Sequence, residues 1–509
     1  MAGRIALTST VILLAAAARA ATAPAADVGA TTALTLYSSQ QPGAISAEYY
    51  RPLPGESPPP AASVPGYAMV RQDRNVMLTA GRQTLRFTDV AGLIDPTTVT
   101  FSVPADAGVR VLEQNFQFDL VSNAKLLLRY IDRPVTVERT VGAQSSVVSG
   151  TLLSAGDGLV LRAADGTIHA LRDYSALRFA ELPGGLITQP TLVWDLNSAD
   201  AGSKRARVTY QTGGMTWWAD YNLIFNDGAT ANAGQLDLSA WVSVINQSGA
   251  SFTDAKLKLV AGDVHRAEVP RAFARGGLQQ EVMVTAEKRG FEEKSFDEFH
   301  LYTLGRATTL PNNSTKQIEL FDRARQIPAR RLLVLDSTGG PLFGSPYLDR
   351  APRTGGSGKV DSFVEFRNDA ASGLGVPLPA GRVRVSRLDP ADGSLEFIGE
   401  DVIGHTPKDE TVRLKLGTAF DVVGERKQVD FALDTTGKSM EEEFEIRLRN
   451  HKAQPVEVQV REPLYRWSNW RIVSRTQDYV KDDARQIHFT VNVPRDGESV
   501  LRYRVRYTW

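Results

Sequence analysis

Glu400, Asp401, His405, Lys408, Asp409 and Glu410 form the densest set of ionisable side chains in this chain of 509 residues. A histidine among several carboxylates has the composition of an oxygen-rich metal site or of an acid–base pair. The flanking runs give the cluster a plainer reading. Leu395 to Ile398 and Val412, Leu414 and Leu416 both read as strands, so the cluster falls on the solvated loop between them. Its spacing matches no zinc motif, and the chain has only six histidines. Two carboxylates across a cleft are enough to hydrolyse a polymer without any local motif. Asp401, Asp409 and Glu410 are the first candidates for that chemistry.

Aromatic side chains give a second kind of chemistry, since an apolar ring face stacks on the apolar face of a sugar. Trp467 and Trp470, near Tyr465 and beside Pro463, lie in a segment that reads as a loop and are the candidate ligand-binding residues. Trp217 and Trp218 are adjacent, so on a strand their rings point to opposite sides, one toward a core and the other toward a surface.

Other chemistries are excluded by what the sequence lacks. With no cysteine there is no lipoprotein anchor, disulfide, thiolate metal site or cysteine nucleophile. Gly355-Gly-Ser-Gly-Lys resembles part of a phosphate loop, but Val360 stands where Ser or Thr is required. Neither a Gly-x-Ser-x-Gly elbow nor a His-Glu-x-x-His pair is present. No cofactor is expected. A formal net charge of zero, from 58 basic and 58 acidic residues, argues against nucleic acid as a partner.

The elements that must position these residues are strands. Phe444, Ile446 and Leu448 alternate with Glu443, Glu445, Arg447 and Arg449. Val456, Val458 and Val460 alternate with Glu457, Gln459 and Arg461; Leu501, Tyr503, Val505 and Tyr507 alternate with Arg502, Arg504 and Arg506. Period two over such lengths means strands with one dry and one wet face, as antiparallel sheets allow. The arginine stripe is expected to pair with Glu443 and Glu445 across strands. Further β-prone runs are Met69 to Leu78, Gln83 to Phe87 and Thr98 to Val103. One short helix is predicted from Ser122 to Tyr130. Strands at Thr151, Leu159 and Ile168, joined at Asp157-Gly and Asp165-Gly, predict a small SH3-like or Sm-like barrel over about 132–182.

The expected organisation is all-β, with several antiparallel sandwich or barrel domains and very little helix. Residues 1–20 read as a signal peptide: Arg4, an apolar run to Ala17, and Ala18-Arg19-Ala20 before cleavage. An N-terminal strand and proline-rich loop follow over 21–66. An N-terminal β domain over 67–191 carries the small barrel. A central β domain spans 192–424 with a charged loop at 268–298, and a C-terminal β-sandwich spans 425–509.

Several blocks are also similar to a known family. Tyr210-Gln-Thr-Gly-Gly-Met-Thr-Trp-Trp-Ala-Asp-Tyr, Trp241-Val-Ser-Val-Ile-Asn-Gln-Ser-Gly and Leu259-Val-Ala-Gly-Asp-Val resemble a bacterial domain of unknown function, number 4139. Leu310-Pro-Asn-Asn-Ser-Thr-Lys-Gln, Gly399-Glu-Asp-Val-Ile-Gly-His-Thr-Pro-Lys-Asp-Glu and Tyr479-Val-Lys-Asp-Asp-Ala extend the resemblance, which runs from about Tyr67 to the end. The family includes proteins labelled mucoidy-inhibitor-like. The resemblance implies an exported β-rich protein with no catalytic residues to carry over.

The resulting expectation is a periplasmic or secreted, non-enzymatic envelope protein that binds or organises a surface polysaccharide or another envelope protein. It would have no integral membrane span after removal of the signal. The alternatives are a hydrolase of an envelope polymer and an outer-membrane β-barrel, for which the alternating terminal strand and final aromatic residue speak.

Overall fold

The computed structural model describes residues 30–38, 45–51, 55, 59–141, 144–228, 230, 232–262, 291–296, 299–337, 344–351, 358–389 and 391–509. The expected signal peptide, most of the 268–298 loop and most of the phosphate-loop-like fragment lie outside these residues. Within them the protein is all-β. Its α-helix, Asn123–Arg129, starts where Ser122 Oγ accepts the Lys125 amide at 3.3 Å. No helix among the described residues is long and apolar enough to cross a membrane.

An eight-stranded sheet runs in the order Phe291–Phe296, Phe299–Leu304, Phe252–Ala261, Thr31–Tyr37, Tyr67–Leu78, Gly202–Thr212 and Ile94–Ser102, with Thr308–Leu310 beside Phe252–Ala261. Thr31–Tyr37 is therefore a central strand, parallel to Phe252–Ala261 and antiparallel to Tyr67–Leu78. Phe291–Phe296, inside the span read as a charged loop, is an edge strand. A three-stranded sheet, Gly81–Phe87, Thr191–Ser198 and Val109–Gln117, packs against this layer through Trp194, whose ring centre lies 4.8 Å from that of Phe101. The meander expected near 132–182 is a five-stranded sheet ordered Ala176–Arg178, Pro134–Val141, Gln144–Ser154, Leu159–Arg162, Ile168–Leu171. It encloses its own core of Tyr130, Val135, Val137, Leu152, Leu159 and Leu161.

The remaining sheet has thirteen strands. It begins at Leu395–Ile403 and passes through Gly381–Leu388, Met215–Asp227 and Ala233–Asn246. It continues through the long strands Ser314–Asp336 and Thr411–Asp434 to Ser439–Asn450 and Gly497–Thr508. The long strands serve two cores. Ile318, Leu320, Val412 and Leu414 belong to the core shared with Trp217, Tyr221 and Trp194, while Leu333, Leu335 and Val422 belong to the C-terminal one. Thr411–Asp434 thus runs unbroken across position 424. The period-two faces of the C-terminal strands are dry as expected: Ile446, Leu448, Val458, Val460, Leu501 and Val505 are wholly buried.

Candidate functional site

The polar cluster read from the sequence is divided among several structural duties. Asp401 lies on Leu395–Ile403, where Oδ2 accepts the Lys415 amide at 2.7 Å, bracing that strand against Thr411–Asp434. His405 Nδ1 accepts the Ala380 amide at 3.1 Å. Asp409 holds a left-handed φ of 66° and donates its amide to Asn368 O, while Glu410 O accepts the Asn368 amide. Among the described residues, no group of three or more histidines and carboxylates is placed to hold a metal ion.

The aromatic candidates are brought together but not bared. Tyr465 is buried, and Trp467 and Trp470 pack half-buried on the C-terminal core. Trp470 donates to Ala484 O at 2.8 Å, with Lys481 Nζ 5.0 Å from its ring centre. Tyr465 and Trp467 line a recess, with Tyr347, Arg466 and Arg485, of only about 20 Å³. That holds roughly one water and no sugar ring. Trp217 and Trp218 are both buried, so neither ring faces a surface. Ile45 and Tyr50, just before the proline-rich run, and Val64 at its end cover Trp218.

Two features escaped sequence reasoning. The first is a buried charge network beneath the recess. Glu442 and Glu462 sit in the dry phase of Ser439–Asn450 and Val456–Pro463, where alternation calls for apolar side chains. Glu442 accepts from Arg466 at 2.7 Å, Tyr507 at 3.2 Å and Gln428 at 3.2 Å. Glu462 accepts from Arg426 at 2.9 Å, Tyr503 at 2.5 Å and Ser337 at 2.8 Å. Burial pushes the Glu442 carboxyl above its ordinary range, against the pull of Arg466. Burial works against the Arg426 charge too, but Glu462 outweighs it and raises the guanidinium above its usual value. Every carboxylate here is saturated with donors and closed to solvent, which suits a structural brace and not acid–base catalysis. Arg466 also donates to Tyr347 O and Asp349 O at 3.1 and 2.6 Å, tying residues 344–351 to this core. A glutamate in the dry phase was the available signal.

The second feature is the outward face of the central sheet. Trp241 on Ala233–Asn246 is 37% exposed. Its cross-strand neighbours are Asp220 and exposed Glu319, and Ser239 and Ser243 share its face. Three register shifts opposite Leu236 to Trp241 mark bulges in Ser314–Asp336, while the Trp241 strand keeps its alternation and its register with Met215–Asp227. Around the ring, Ser243 Oγ donates to Asp220 Oδ2 at 2.9 Å and Gln317 Nε2 donates to Ser243 Oγ at 3.1 Å. Arg382 and Arg384 lie 3.6 and 3.8 Å from Asp220 Oδ1, and Arg384 also pairs with Glu400 at 3.0 Å. An exposed indole amid amide, hydroxyl, carboxylate and guanidinium groups has the makings of a flat recognition surface.

The family model described as a domain of unknown function (DUF4139) matches residues 206–509. The match contains the Tyr210, Trp241, Leu259, Leu310, Gly399 and Tyr479 blocks and leaves 67–205 outside it. No curated protein matches the chain.

Proposed function

The chain belongs to the DUF4139 family, and on that footing we propose an exported, non-enzymatic envelope protein that binds a surface component, polysaccharide foremost, through the Trp241 face. The leader-like first residues support export to the periplasm or beyond. The label mucoidy-inhibitor-like, carried by proteins the sequence resembles, agrees with a polysaccharide partner. The observation that carries the reading is the partly exposed indole of Trp241 on the outward face of its strand, beside the exposed Glu319 and Gln317 of the neighbouring strand. Aromatic stacking supplies affinity for a sugar face, and Glu319, Gln317 and Arg384 supply hydroxyl recognition.

The test is retention of the full chain on immobilised purified cell-surface polysaccharide. Trp241→Ala is expected to weaken retention at least tenfold, while Trp467→Ala with Trp470→Ala leaves it within about twofold. Undiminished binding by Trp241→Ala would remove this face as the site.

A further inference from the structure

Trp241 and Glu319 stand directly opposite one another on the paired strands Ala233–Asn246 and Ser314–Asp336. Both side chains point away from the core, because their neighbours in sequence, Ala240, Val242, Ile318 and Leu320, are buried. Side chains opposite each other on antiparallel strands have Cβ atoms about 4.5–5.5 Å apart, so one small group can touch indole and carboxylate together. Beyond Glu319 the sheet is open. Among the described residues, the other edge of Ser314–Asp336 is paired only from Ala329 onward.

The other charges nearest the indole are matched. Asp220 accepts from Ser243 Oγ at 2.9 Å and has Arg382 and Arg384 at 3.6 and 3.8 Å. Glu400 pairs with Arg384 at 3.0 Å, and Asp237 with Arg323 at 2.9 Å. The exposed Glu319 carboxylate has no ion pair or hydrogen bond among the described residues. No arginine or lysine among them stands over the Trp241 ring either. The complement of an unmatched carboxylate beside an open indole is a cation. It gains a charge-assisted hydrogen bond from the first and cation–π attraction from the second. A carboxylate or phosphate on a polymer would meet Glu319 as a like charge.

On the footing of the polysaccharide reading, we infer that Glu319 makes the Trp241 face selective for amine-bearing sugars, with the protonated amine lodged between the indole and the carboxylate. The sugar ring stacks on Trp241, and Glu319 decides which ring is preferred.

The experiment is calorimetric titration of the full chain, in mildly acidic buffer, with a fully deacetylated chitosan hexamer and with cellohexaose. The two share a backbone, and cellohexaose carries a hydroxyl in place of each amine. The wild type is expected to bind the chitosan hexamer about fivefold or more tightly. That preference should fall to within about twofold of parity in Glu319→Gln, a change at an exposed, unpaired side chain that puts no packing at risk. It should also fade for the wild type in mildly alkaline buffer, where the amine loses its proton. No preference in the wild type, absence of binding included, or a preference undiminished in Glu319→Gln overturns the inference, and sugar binding that still depends on Trp241 would leave the face itself standing. Binding of both hexamers by Trp241→Ala as tightly as by the wild type would instead remove the face, and the reading it rests on, together with the inference.

Discussion

At the residue scale the C-terminal core rests on two buried ion pairs, Glu442 with Arg466 and Glu462 with Arg426. Taking such charges from water is costly, and the pairs persist because tyrosines, Gln428 and Ser337 complete the carboxylates' hydrogen bonds. Removing one partner leaves the other charge buried alone. Glu442→Ala is therefore expected to cost about 3–5 kcal/mol in urea unfolding. Combining Glu442→Leu with Arg466→Met should cost less than the sum of the single changes, because no charge is left unpaired. Simple additivity of the two would refute a mutually dependent pair. The exposed charges behave differently. Arg502 with Glu445 and Arg504 with Glu443 form the cross-strand ladder expected from the alternation, and in water such pairs contribute little each.

At the element scale, strands end on the same device three times. Asn246, the last residue of its strand, donates to Ala250 O and Leu310 O at 2.9 Å and to Pro311 O at 3.2 Å. Asn450, the last of Ser439–Asn450, donates to Gln454 O at 2.8 Å and Pro494 O at 3.0 Å. Asn368, just past Lys359–Arg367, donates to Val376 O and Pro407 O at 2.8 and 2.9 Å. Each asparagine is fully or almost fully buried and joins the turn after its own strand to a distant one. Carbonyls stripped of their donor in a dry site are costly, so Asn450→Ala is expected to lower stability by about 1–3 kcal/mol. The measurement is the shift in urea midpoint, and a shift within error would show that water replaces the amide without loss.

At the scale of the whole molecule, the family-matched segment is not a closed structural unit. Its strands Gly202–Thr212 and Phe252–Ala261 need Tyr67–Leu78 and Thr31–Tyr37 as neighbours, and both lie before residue 206. A fragment of residues 206–509 would expose those strand edges and is expected to aggregate on expression. The five-stranded meander sheet is the opposite case. It has its own core, and the chain enters and leaves it side by side, with the Ile187 amide donating to Asp119 O at 3.0 Å. Replacing residues 122–185 with a short glycine–serine linker should leave the rest folded, as judged by cooperative melting. A soluble, cooperatively folded 206–509 fragment would contradict this division.

What the sequence determined by itself was local. Period two assigned the faces of the C-terminal strands, the Asp-Gly turns located the meander near 132–182, and the helix fell inside the predicted span Ser122 to Tyr130. Side-chain alternation fixes the face a residue occupies, because successive residues on a strand point to opposite sides. It does not say which strand will lie beside it. Glu442 was readable as an anomaly in the dry phase, but its partner Arg466 was not, since the chain between them turns through another strand before returning. The outward face of Trp241 lay within the same local logic, since buried Leu236, Leu238, Ala240, Val242 and Val244 alternate with it along an unbroken strand. Only the order of the strands in the sheet, a product of packing between distant segments, brought the partners of the buried ion pairs together.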